Sequence, residues 1–103
     1  MNVIADICVI PTTGRTSLRE EVARAHAILR DTGLPVTLNA FGTVIEGDYA
    51  TITAAIQRIH EELHAAGAPR IMTTVKIASR VDKPQSAADK VAAVRAILDA
   101  EQG

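Results

Sequence analysis

The sequence predicts an α+β sandwich, four strands and three helices in the order β-α-β-β-α-β-α. Two observations carry this. The apolar period alternates along the chain between two residues and about 3.6. Proline, glycine or capping residues stand wherever the period changes, at Pro11, Gly14, Gly33, Gly42, Gly47-Asp48 and Gly67. The chain's 103 residues suffice for one hydrophobic core and no second, so a single domain is expected over 1–103.

Val3 to Ile10 reads as the first strand, ended by Pro11. Val3, Ala5, Ile7 and Val9 share one face; Ile4, Asp6, Cys8 and Ile10 share the other. Ser17 and Glu20 match a capping box, and Leu18, Val22, Ala25 and Leu29 form the stripe of the helix that follows, with Gly33 at its C-terminal end. Pro35–Phe41 and Thr43–Gly47 read as a hairpin about Gly42, with Thr37, Asn39 and Phe41 on one face. Asp48 caps a second helix reaching about Ala66, with Ile52, Ile56, Ile59 and Leu63 as its stripe. Arg70–Arg80 alternates as a last strand. A helix from about Ser86 to Ala100 carries Ala87, Val91, Val94 and Leu98 on one face.

The first six elements form a split βαβ pattern. The expected fold is therefore a ferredoxin-like βαββαβ sandwich, a four-stranded antiparallel sheet with two helices on one face and an extra C-terminal helix. The helix-free face collects Asp6, Cys8, Thr37, Asn39, Thr74 and Lys76 with Ile4, Ile10 and Phe41. That mixture is too apolar for plain solvent and too polar for a dry core, so a ligand or a partner subunit is expected to cover it.

Composition narrows the function classes. Net charge is −1, without the basic excess of a nucleic-acid binder. Phe41 and Tyr49 are the only aromatic residues. The strands taken as central, Val3–Ile10 and Arg70–Arg80, offer no ring on which an RNA base could stack. Cys8 is the single cysteine and reads as a small buried hydrophobe. No signal-peptide pattern precedes the first strand and no apolar run approaches the ~20 residues of a membrane span, so the expectation is a cytoplasmic protein with no membrane or nucleic-acid partner.

Three motifs invite chemistry. His60-Glu61-Glu62-Leu63-His64 matches H-E-x-x-H, in which two histidines one helical turn apart share a zinc. Gly67 breaks the helix soon after, and no His or Glu follows for over thirty residues to supply a usual third ligand. Half-exposed imidazoles are the expectation, with a zinc-dependent hydrolase as a remote alternative. Gly14-Arg15-Thr16-Ser17 follows a strand and opens a helix, but it lacks the first glycine and the lysine of a phosphate loop. Glu46 stands among apolar neighbours beside Gly47. A carboxylate there needs a partner, either Lys76 or Arg80 or a bound ligand.

Taken together, Ile10-Pro11, Gly14, Thr16-Ser17, Gly42-Thr43-Val44-Ile45-Glu46-Gly47, His60-Glu61, Gly67, Arg70, Lys76-Ile77 with Arg80, and Lys90-Val91 resemble the small thiamine-binding proteins of ferredoxin-like fold. The likeness spans essentially the whole chain. It departs in the Pro11-Thr12-Thr13-Gly14 loop, in Phe41 and in His64. The resemblance implies a homodimer or homotetramer that binds thiamine or its hydroxymethylpyrimidine half without catalysis and without a further cofactor. In such a site Glu46 accepts from the aminopyrimidine and Asp6 offsets the thiazolium charge. Thr43, Asn39, Thr37 and Ser17 supply neutral hydrogen bonds, Phe41 an apolar wall, and Lys76 a partner that holds Glu46 in place. No residue is assigned as acid, base, nucleophile or metal ligand. The alternative is a regulatory or structural homo-oligomer with another small ligand.

Overall fold

A computed structural model describes residues 1–15 and 17–102. The elements run β1 (Asn2–Thr12), α1 (Arg19–Arg30), β2 (Val36–Asn39), β3 (Gly42–Asp48), α2 (Tyr49–Ala65), β4 (Arg70–Ser79) and α3 (Ala87–Gln102). The sheet order is β2-β3-β1-β4, antiparallel throughout. This is the expected ferredoxin-like arrangement with an added C-terminal helix. The central strands are β1 and β3, and β4 is an outer edge bonded only to β1; Arg70–Arg80 is thus not central. Neither β3 nor β4 contains an aromatic residue.

The core lies between the sheet and helices α1 and α2. Val3, Ala5 and Ile7 of β1, with Ile45 of β3, meet Ala25, Ile28 and Leu29 of α1 and Ile52, Ala55, Ile59 and Leu63 of α2. Period-two alternation on the strands and period-3.6 recurrence on the helices send these side chains to one layer. Asp48 caps α2 as expected, its Oδ2 accepting from Thr51 N at 3.2 Å.

Several expectations are corrected. β1 does not stop at Pro11 but continues to Thr12, with Pro11 opposite Ile71. Its pairing with β3 ends at Ile7, so Pro11 lies where β1 has no strand on that side, a place that tolerates a missing N–H. The Ser17–Glu20 capping box does not form. Helix α1 starts at Arg19 with no side-chain cap, because Glu20 is drawn to Arg15 at 3.2 Å and Ser17 Oγ accepts from Arg19 Nε at 3.4 Å. Thr16, in the Gly14-Arg15-Thr16-Ser17 segment, lies outside the described residues.

The hairpin turn is Ala40-Phe41, and Gly42 opens β3 opposite Asn39. Phe41 therefore leaves the sheet face and stands 91 % exposed at the tip. Helix α3 buries none of its side chains. Its stripe of Val91, Val94 and Leu98, with Ile97 beside it, stays open.

Candidate functional site

The register places Glu46 on the helix-free face of β3, across Ile4 of β1 from Ala78 of β4. Glu46 is half-buried and lines a cleft of about 890 Å³. The cleft floor comes from Ile4, Glu46 and Ala78, and its far wall from Arg80 and Lys83 to Ser86 with Lys90 of α3. The carboxylate is aimed at this wall. Oε1 accepts from the Ala87 N–H at 2.6 Å, so Glu46 satisfies a free donor at the start of α3. Neither Lys76 nor Arg80 pairs with it; Arg80 instead forks onto Asp82 at 2.5 and 2.8 Å and reaches Gln85 at 2.6 Å. That fork holds the Asp82 carboxyl below the usual carboxylate range.

Local sequence fixes Glu46. Its own N–H donates to the Pro35 carbonyl at 3.1 Å. The next residue, Gly47, has φ +152°, and a Cβ there would stand 2.6 Å from Leu34 Cδ2. Only glycine lets Leu34 close against the strand at this point, and Leu34 in turn lines the cleft. Asp48, at the cleft's edge, is occupied by capping. The Thr51 N–H and the terminal ammonium of Met1, 3.4 Å away, keep its pKa below the ordinary value.

The other candidate residues fall into three further places. Thr37, Val44, Asp6 and Lys76 form one row across the open face, a rung away from Glu46. Asp6 and Lys76 are cross-strand neighbours and both exposed. Thr43 points to the opposite face, is 5 % exposed, and lies 3.3 Å from His26 Nδ1 through its Oγ1. Together with Asn39 and Phe41 it borders a separate apolar hollow of about 240 Å³ between α1 and the hairpin. Ser17 follows the C-terminal end of β1, whereas Glu46 pairs near its N-terminal end. Within one chain the structure does not bring Ser17 or Thr43 to Glu46.

Sequence reasoning missed the far wall of the cleft, namely Lys83, Pro84, Gln85 and Ser86. No periodic signal marks a loop that folds back over a residue some forty positions earlier. Lys90 was visible only as part of the resemblance.

The histidine pair is turned to structural partners. His60 Nε2 lies 2.7 Å from Thr73 Oγ1, and His64 Nδ1 donates to the Ala68 carbonyl at 2.7 Å. Among the described residues no group of three His, Cys, Asp or Glu side chains converges to hold a metal.

The profile of a family described as thiamine-binding protein matches residues 5–95. The chain belongs to that family. Among its relatives, the UPF0045 protein sll0230 of Synechocystis is 41% identical over 99 residues, covering 96% of this chain and 82% of the relative. The crystal structure of the hypothetical protein MJ1052 from Methanocaldococcus jannaschii superposes with a TM-score of 0.84 at 30% identity, covering 90% of this chain and 95% of that one. The Thermotoga maritima protein TM0486, at 20% identity and TM-score 0.80, covers 91% of this chain and 99% of its own; it shares the fold. Membership in the family supports a small-molecule-binding role. No helix among the described residues is long and apolar enough to cross a membrane.

Proposed function

We propose that this chain binds thiamine, or its hydroxymethylpyrimidine half, in the Glu46 cleft, as a binder rather than a catalyst. The observation that carries the reading is the half-buried Glu46 carboxylate facing a cleft of about 890 Å³ in a member of the thiamine-binding family. Small-molecule sites occupy roughly 300–1,000 Å³ and orient their ligand with a few fixed polar groups. An exocyclic amine or protonated ring nitrogen of the pyrimidine donates to Glu46 in a charge-assisted bond. The floor residues Ile4 and Ala78 give the ring apolar contact. Asp6, one rung along the open face, is proposed to offset a thiazolium.

Calorimetric titration tests this. Glutamine is nearly isosteric and keeps an oxygen for the Ala87 N–H, so Glu46→Gln should remain folded and lose the charged interaction. The expected loss is roughly 1.5–3 kcal/mol, a roughly ten- to hundredfold weaker complex. Unchanged thiamine affinity in a folded Glu46→Gln protein would remove Glu46 from the site.

The working form proposed is a cytoplasmic homodimer or homotetramer. Support comes from α3, whose Val94 and Ile97 are 57% and 63% exposed, and from the uncovered Ile10 and Met72 on the open face. Apolar surface of this extent on a small chain usually meets a partner. The same surface favours the second reading, a regulatory or structural homo-oligomer with another small ligand.

A further inference from the structure

We propose that the Glu46 cleft takes the phosphorylated form of its aminopyrimidine ligand, with Lys83 and Lys90 holding the phosphate. This rests on the reading of Glu46 given above and names the substrate class more closely.

The inference comes from the charges lining the cleft. Five charged residues line it, Glu46, Asp48, Arg80, Lys83 and Lys90. Three are already engaged. Glu46 accepts from Ala87 N. Asp48 caps α2 and meets the terminal ammonium. Arg80 is spent on Asp82 and Gln85. Among the described residues, no carboxylate pairs with Lys83 or Lys90. Two lysines without a carboxylate partner among the described residues thus line the same hollow as the one carboxylate suited to an aminopyrimidine. A ligand with a donor at one end and an anion at the other matches that polarity.

Two further features point the same way. Lys83 sits on a held loop. Arg80 clamps its near end, Pro84 restricts its backbone, and a reciprocal box closes its far end, with Ser86 N on Asp89 Oδ2 at 2.9 Å and Asp89 N on Ser86 Oγ at 3.0 Å. Lys90 lies in the first turn of α3, where the helix dipole disfavours a cation. An anion bound beside it reverses that penalty. The helix N-terminus itself is not the site, since Glu46 takes the Ala87 N–H, Asp89 the Ser86 N–H and Ser86 Oγ the Asp89 N–H. Lysine suits this task as a flexible point charge for phosphate.

The test is calorimetric titration of the whole protein at low salt with thiamine, thiamine diphosphate and inorganic pyrophosphate. Thiamine diphosphate should bind at least about tenfold more tightly than thiamine. In a Lys83→Gln/Lys90→Gln protein the ratio of the two affinities should fall below about threefold, and a Lys83→Arg/Lys90→Arg protein should restore it. Raising salt should shrink the wild-type ratio, since the contributing charges are exposed. Equal affinity for thiamine and its diphosphate, or a ratio that survives the double glutamine change, overturns the proposal while leaving the Glu46 reading intact. Pyrophosphate alone binding as tightly as thiamine diphosphate also overturns it, because the phosphate recognised is then a free one. If no aminopyrimidine binds at all, both readings fall together.

Discussion

Gly42 sits where the hairpin meets the middle of the sheet. A Cβ built there would lie 2.6 Å from the Ile7 carbonyl oxygen and 3.1 Å from Asp6 Oδ1. The first neighbour is backbone and cannot step aside. Gly42→Ala should therefore cost about 1–3 kcal/mol, as overpacking does, read as a lower thermal midpoint; an unchanged midpoint would show that β3 can shift freely. Asp48 gives a pH prediction. Its folded pKa lies below the ordinary 3.8, chiefly through the Thr51 N–H. Its contribution is thus fully present above the unfolded pKa and is lost as pH falls through the folded one. Asparagine caps a helix as well as aspartate does, so Asp48→Asn should flatten the fall in stability below about pH 4 while α2 stays formed. Denaturant melts across that range check it, and an unaltered acid limb would contradict it. At this scale the sequence showed Glu46, by its charge among apolar neighbours, and the glycines around it. It did not show Phe41 correctly. A hairpin read one residue out of place turns a side chain from strand to tip, because alternation has period two and the turn itself carries no apolar pattern.

Helix α2 is the element that its stripe defines most sharply, with Ile52, Ile59 and Leu63 buried in the core. Ile59→Ala should destabilise by about 2–5 kcal/mol, lowering the urea midpoint without altering its slope; a loss under about 1 kcal/mol would mean the cavity collapses. Helix α3 behaves differently. It carries a stripe in sequence but buries none of its own side chains. Val94→Ser should leave the dilute protein's melt within about 0.5 kcal/mol and reduce its mass by light scattering at micromolar concentration. A variant that melts earlier yet keeps its mass would place Val94 in intramolecular packing instead. The contrast explains what was legible. Periodicity reports only that a face is apolar. Which surface receives the face is a tertiary fact. Helix α1 shows the same limit at its start, where Arg15 takes Glu20 away from the cap.

The whole molecule is longer than its chain length suggests. Its radius of gyration is 15.9 Å and its principal extents are 52 × 31 × 19 Å, against about 13 Å for the radius of a compact chain near this size. A helix that packs on neither face of the sandwich accounts for the excess. If copies join through α3 and the open sheet face, light scattering should give twice or four times the 10.9 kDa chain mass; a single-chain mass at working concentration would sink the oligomer. The topology was readable because alternating periods separated by turns leave few arrangements for six elements. The cleft was not, since its far wall meets the sheet through contacts such as the Ala87 N–H to Glu46, between residues 41 positions apart.

Strand β4 lends the protein a hazard during its own synthesis. Ten residues long and bonded on one side only, it offers a row of idle amide and carbonyl groups to any other extended chain nearby. Within Ile71 to Ser79 the sequence interrupts this template with a single charge, Lys76, a gatekeeper against nonspecific stacking. Apart from any contact with a ligand, Lys76 is expected to keep newly made chains apart until they are folded. Refolding by rapid dilution should turn cloudy sooner for Lys76→Val than for the natural sequence, and equal turbidity would show that this rim of the sheet is guarded by something else.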